Sequence, residues 1–337
     1  MGDKMDNRDD WPVKPRIVCS RCLGFDHCRY NGLMIRNQVV DALRPHVEFV
    51  TPCPEVETGL GVPRRPIRII LKDSRKELYQ PATGEHWTEG MLEYTQSFFS
   101  SLGPVDGFIM KSRSPSCGIL DAKFYTSEDK PGTAGRGAGL FGERVLRDYS
   151  SLAVEDDGRL HNPKIRDHFF TKLFTLASFR IVEENGKASD LVEFHSRYKL
   201  LLMSYNQSEM RSMGRTVADQ KETGLKNAMQ NYRQHLEKAL HRGRTYRNNI
   251  NTLQHAFGYV SESLSGDERK FFLDNLEMYR EARTPLKTCL DLLRSWILRF
   301  NVEYLSDQTF FQPYPEDLNE KFDTYRMKDY WKNMGTE

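Results

Sequence analysis

Apolar positions follow two different rhythms along this chain. In the first half, short apolar runs alternate with amphipathic ones. Pro15–Ser20 (PRIVCS) suits a buried strand, as do Val47–Thr51 (VEFVT), Arg65–Leu71 (RPIRIIL) and Val105–Lys111 (VDGFIMK). Between and after them, Met34–Leu43, Thr88–Leu102 and Gly139–Tyr149 repeat at helical spacing, with Thr88 read as an N-cap. Strand–helix alternation of this kind predicts an α/β fold with a Rossmann-like, mainly parallel sheet and helices on both faces.

From about Arg159 the rhythm changes. Leu191, Phe194, Tyr198, Leu201, Leu202 and Tyr205 recur at intervals of three and four within Asp190–Tyr205. Leu225–Leu240, Tyr246–Ser263, Gly266–Arg283 and Leu286–Tyr304 read the same way, the last after a Pro285 start signal. An all-α domain therefore follows the α/β one. The expected division is a disordered tail at 1–14, an α/β domain at 15–158 and a helical domain at 159–325, with the break near the Glu-Asp-Asp-Gly turn at 155–158.

Composition narrows the picture. The chain of 337 residues is 38% hydrophobic and 28% charged, which is globular rather than fibrous or disordered. No stretch approaches the ~18–20 consecutive apolar residues of a membrane span, and the polar start MGDKMDNRDDW has no apolar core of a secretory signal. A cytoplasmic protein without a membrane partner is expected. Net charge is only +2, but positions 161–256 hold 16 Lys and Arg against 9 Asp and Glu, a basic segment suited to phosphates.

Five of the six cysteines (Cys19, Cys22, Cys28, Cys53 and Cys117) lie in the first 117 residues, while Cys289 stands in a helical run as a small core residue. Clustered thiols in a reducing compartment point to metal or redox chemistry rather than disulfides. Cys22, Cys53 and Cys117 each follow a predicted strand, in the Pro/Gly/Ser-rich segments CLGFDHCRYNG, PCPEVE and SRSPSCG. Ligands collect beyond the carboxyl ends of strands in open α/β sheets, so residues far apart in sequence converge there. Taken alone, Cys19-x-x-Cys22 fits a zinc site or a thioredoxin-like redox pair equally well.

Together these motifs resemble the TudS-like thiouracil desulfidase family. The whole chain resembles its longer version, in which that domain is fused to a YbgA-type helical domain, as in the RudS group that acts on 4-thiouridine in tRNA. The resemblance covers most of residues 15–318. It includes Gly135-Arg-Gly-Ala-Gly139, Val192-Glu-Phe-His-Ser-Arg-Tyr-Lys-Leu-Leu-Leu-Met203, Leu253-Gln-His-Ala-Phe-Gly-Tyr259 and Pro313-Tyr-Pro315. It implies that Cys22, Cys53 and Cys117 hold a [4Fe-4S] cluster with one open iron. The cluster would bind the substrate's sulfur, and water would replace that sulfur without redox change. It also implies that Glu55 and Ser114 are the acid/base pair, since a carboxylate near apolar surroundings can shuttle protons.

Each residue has a plainer reading beside it. Glu55 fits a helix cap or an ion pair with Arg64 or Arg65, and Ser114 fits a turn. Cys19 reads as buried structure, and Cys28 as core or as a back-up ligand. Arg29, Tyr30 and Asn31 suit a base or phosphate, but Asn31-Gly32 is also a turn signal. Gly135-x-Gly-x-Gly139 before a helix suits a phosphate or a loop that supports the cluster. No strand is expected to lead into it, which argues against a dinucleotide site.

In the helical domain, His195, Arg197, Lys199, Arg242, Arg244, Arg247 and His255 are candidate RNA contacts, because cations fix a phosphate backbone and rings stack on unpaired bases. The expected substrate is thiolated tRNA or its nucleotide. Salvage of free thiouracil and a zinc-stabilised RNA-binding protein without catalysis are the rival readings.

Overall fold

The computed structural model describes residues 11–73, 75–128 and 132–320. Positions 1–10 of the expected tail and 321–325 of the expected helical domain lie outside the described residues. The chain forms two compact units: residues up to Phe169 together with those from Tyr314 on, and Phe170–Pro313. The two units divide at 169/170, whereas the sequence pattern places its break at 158/159. The segment from Tyr314 returns to the first unit because Tyr314 Oη donates to Asp167 at 3.0 Å and His46 faces Asp317 at 2.9 Å.

The first unit contains β1 (Arg16–Cys19), α1 (Gln38–Leu43), β2 (Glu48–Val50), α2 (Pro54–Glu57), β3 (Arg68–Lys72), β4 (Arg75–Gln80) and β5 (Glu85–His86). It continues with α3 (Thr88–Ser101), β6 (Gly107–Met110), β7 (Ala122–Tyr125), β8 (Thr133–Gly137), α4 (Leu140–Tyr149) and β9 (Ala153–Asp156). Four strands form a wholly parallel sheet in the order β2-β1-β6-β9, with Val18 opposite both Val50 and Phe108. Its two central strands are continuous apolar runs: Ile17, Val18, Cys19, Phe108, Ile109 and Met110 are fully buried, as parallel strands covered on both faces must be.

The strand expected at 65–71 is not part of that sheet. As β3 it joins a second, mixed sheet in the order β5-β4-β3-β7-β8, antiparallel to β4 and parallel to β7. This sheet has its own small core of Leu60, Ile67, Ile69, Leu78, Met91, Ala122 and Leu140. Thr88 also departs from expectation: Trp87 caps α3, and the Thr88 hydroxyl accepts from Leu78 N–H at 2.8 Å, tying the helix to β4. Asn31 is a turn residue, accepting from Leu33 N–H at 3.2 Å ahead of Gly32 at φ 71°.

The rest is helical. α5 (Pro163–Asn185) leads into α6 (Ala188–Tyr205), α7 (Gln207–Ala218), α8 (Gln220–Thr223), α9 (Leu225–Ala239), α10 (Tyr246–Gly258), α11 (Gly266–Arg280), α12 (Leu286–Phe300) and α13 (Glu303–Ser306), with α14 (Asp317–Glu320) in the first unit. The expected stripe on α6 is buried at every position, and Cys289 is fully buried. Stacked rings fix the second unit's centre, with Phe179 5.0 Å from Tyr232 and Phe194 4.0 Å from Tyr198. An α/β unit followed by an all-α one is the fold class that the hydrophobic pattern predicts. No helix among the described residues is long and apolar enough to cross a membrane.

Candidate active site

β1, β2 and β6 are neighbours, and each runs out into a loop at its carboxyl end, so their three exits lie side by side. The backbone joins the exits: Ser20 N–H donates to Ile109 O and Arg21 N–H to Pro52 O, both at 3.0 Å. Cys22 sits in the first loop. Cys53 caps α2, where Pro54 occupies the first turn and Val56 and Glu57 donate to the Cys53 carbonyl. Cys117 ends the third loop. Its shape is set by Ser114, whose hydroxyl accepts from Ser116 N–H at 3.3 Å and Cys117 N–H at 3.0 Å.

Cys28 belongs to the same group. Its thiol interacts with those of Cys22 and Cys53, and the Cys53 thiol lies 3.9 Å from the Cys28 carbonyl. The hydrogen bond to Cys22 pushes the Cys28 thiol up to about 11, and burial pushes Cys117 up to about 12. The Cys28 contact and burial both raise Cys53. Burial raises Cys19 strongly, as suits a residue inside a central strand.

A single zinc ion with Zn–S of about 2.3 Å needs sulfurs about 3.8 Å apart. Among the described residues, ligand atoms within 4.8 Å of one another are found in the half-buried-to-exposed set Glu77, His86 and Glu128, and not in any three of the cysteines.

Glu55 projects from the first turn of α2 beside the thiols. Arg64 Nε donates to its Oε2 at 2.9 Å, with Nη2 on the same oxygen, while Ser116 Oγ donates to Oε1 at 2.7 Å and Ser114 Oγ lies at 3.4 Å. Its surroundings are therefore polar and ion-paired, not apolar as expected. Ser114 is both the turn former and a neighbour of Glu55, at 2.9 Å from Ser116 Oγ. The expected ion pair of Glu55 with Arg64 is present, whereas Ser116, 1% exposed, was not among the residues named from the sequence; its place in a Ser-Pro-Ser-Cys loop was the available signal.

The glycine motif does lie on a strand, β8, contrary to expectation. The N–H groups of Gly139, Leu140 and Gly142 donate to the carbonyls of Gly118, Pro115 and Ser116. The start of α4 thus grips the Cys117 loop, and those N–H groups are taken by carbonyls rather than left for a phosphate.

Within the second unit, His195, Lys199 and His255 converge on a cavity of about 620 Å³ that Arg211, Arg215, Tyr259 and Tyr304 also line. Tyr259 is well exposed and stacks on Tyr304 at 5.1 Å. Burial and the nearby Lys199 charge push His195 down to about 4, so it is neutral at physiological pH. Arg197 instead lines a smaller cavity with Glu193 and Gln308. Arg242, Arg244 and Arg247 fall on the α9–α10 turn and the start of α10 and line neither cavity; Arg244 lies over Tyr205 and Arg247 over Tyr246.

Comparison with known proteins agrees with this division. Residues 17–157 match the 2-thiouracil desulfurase family, and residues 199–315 match a family of proteins of unknown function, DUF1722. The uncharacterized protein YbgA of Escherichia coli (strain K12) is 28% identical over 45% of this chain and 92% of its own length. The uncharacterized protein YbbK of Bacillus subtilis (strain 168) is 32% identical over 30% of this chain and 72% of its own. A solved [4Fe-4S]-dependent thiouracil desulfidase, TudS, is 25% identical over 44% of this chain and 93% of its own, with a TM-score of 0.34. The chain belongs to the 2-thiouracil desulfurase family, as a TudS-like domain fused to a YbgA-type helical domain.

Proposed function

We propose that this protein is an iron–sulfur-dependent desulfidase that removes sulfur from 4-thiouridine, in tRNA or as its nucleotide, giving uridine and sulfide by hydrolysis. The observation that carries the reading is the meeting of Cys22, Cys53 and Cys117 at three adjacent strand ends, with Glu55 beside them between Arg64 and two serines. Thiolates on loops fit a [4Fe-4S] cluster that Cys22, Cys53 and Cys117 would hold. Held by those thiolates, such a cluster would supply Lewis-acid chemistry at the carbon bearing the substrate's sulfur.

The chain's own groups do the rest. Glu55 Oε1 would take a proton from the attacking water and pass it to the departing sulfur, while Ser116 Oγ, donating to the same oxygen at 2.7 Å, holds that oxygen in place. Arg64 occupies Oε2 and so leaves Oε1 as the working oxygen. The water's oxygen stays on carbon, the C–S bond breaks, and sulfur leaves as sulfide without any change of oxidation state.

The basic, aromatic-lined cavity of the helical unit supports an RNA role. Lys199, Arg211 and Arg215 suit phosphates, and Tyr259 suits a base that has been unstacked. The test is sulfide release by anaerobically reconstituted full-length protein, given 2-thiouracil, 4-thiouridine monophosphate or thiolated tRNA. The reading expects turnover of the nucleotide and the tRNA in preference to the free base. Turnover of the free base alone overturns the RNA assignment.

A further inference from the structure

The proposed cluster takes three thiolates, and the site contains four. Cys28 is 2% exposed, and its thiol faces those of both Cys22 and Cys53. It is not an ordinary core thiol like Cys289, which interacts with a backbone carbonyl, Asn275 O, at 3.7 Å. Its backbone is tied to the catalytic groups. Arg64, the partner of Glu55, donates to Cys28 O at 2.9 Å, and the Cys53 thiol lies against the same carbonyl at 3.9 Å. Residues 20–37 contain neither helix nor strand, so no ladder or helical hydrogen bond has to break for Cys28 to shift.

Resting on the function proposed above, we propose that Cys28 is a fourth cluster ligand, closing the open iron while no substrate is bound and giving it up to the substrate's sulfur. When the bond from iron to Cys28 forms, the thiol proton passes to solvent. When substrate arrives that bond breaks, the freed sulfur regains a proton from solvent, and the substrate's sulfur takes its place. No electron is gained or lost. The arrangement protects the most reactive iron from oxidants between turnovers, and through Arg64 it links release of Cys28 to the oxygen atoms of Glu55.

The experiment compares anaerobically reconstituted wild-type protein with Cys28→Ala and Cys28→Ser. Each is given a brief ferricyanide pulse with a chelator, then assayed for iron and sulfide content and examined by electron paramagnetic resonance. A cluster with an open iron sheds that iron on oxidation, whereas one with four thiolates resists. The expected result is a wild type that keeps its iron, and variants that lose one iron in four and show a three-iron signal. Wild type and variants losing iron equally overturns the proposal. Should neither variant load a cluster, Mössbauer spectra of the ⁵⁷Fe-loaded wild type decide. Four sulfur-ligated irons support the proposal, and one iron with an oxygen or nitrogen ligand overturns it. A wild type that takes up no cluster at all sinks the proposed function itself, whereas one that releases sulfide yet loses iron like the variants sinks only the role of Cys28.

Discussion

Glu55 is held on both oxygens, by Arg64 on one side and Ser116 on the other, so its position does not depend on its charge alone. Glu55→Gln keeps the shape and removes the proton acceptor. Sulfide release is expected to fall about 100-fold or more, the usual weight of a general base, with iron content unchanged. A variant that keeps full turnover would remove Glu55 from the chemistry. His195 offers a test in the second unit. Burial lowers it from 6.5 to about 4, so between those pH values the unfolded chain takes up a proton that the folded one refuses. Its contribution to stability is whole above pH 6.5 and is lost as the pH falls toward 4. Denaturant midpoints of wild type should drop over that window more steeply than those of His195→Gln, and parallel curves would contradict the burial argument. The thiols and Glu55 were legible because a family resemblance marks them. Arg64 was legible as one of two candidate ion-pair partners of Glu55. Ser116 was not, because 61 residues separate it from Glu55 and only the fold brings them together.

At the level of elements, α4 is seated on the Cys117 loop through glycines. A Cβ on Gly142 would stand 2.1 Å from Gly118 O, and one on Gly139 would stand 2.4 Å from Pro115 O, both backbone atoms that cannot swing aside. Gly142→Ala should therefore move the loop that carries Cys117. We expect a loss of about 1–3 kcal/mol in folding stability, the range of an overpacked core site, together with reduced cluster uptake. Denaturant melts and iron analysis of the same preparation read both, and a stable variant with normal iron content would show that the loop has room. The parallel sheet was plain in the sequence because its central strands are unbroken apolar runs. The second sheet was not: β4 (RKELYQ) is polar at most positions, β5 has two residues and β8 (TAGRG) is mostly glycine and small residues. Such strands are defined by their partners rather than by their own rhythm.

For the molecule as a whole, the proposed RNA role rests on the basic residues of the second unit. The excess of 16 basic over 9 acidic residues at 161–256 includes Lys199, Arg211 and Arg215, which share one cavity wall. Reversing two of them, as in Lys199→Glu with Arg215→Glu, should weaken RNA binding at least tenfold and flatten its dependence on salt, since each lost phosphate contact removes close to one unit of the log–log slope. Unchanged affinity and slope in filter binding across a salt series would place RNA elsewhere. The helical character of the second unit was legible from its amphipathic stripes. Its first helix was missed because α5 buries residues nearly all round.

The central claim is that three loop thiolates and a pinned carboxylate make a desulfidase. Its most direct test is the absorption spectrum of anaerobically reconstituted protein before and after a 4-thiouridine nucleotide is added, with sulfide measured in parallel. The account predicts a brown, cluster-bearing protein, loss of the thio-base band and one sulfide per base consumed. A colourless zinc protein with an unchanged thio-base band would contradict it.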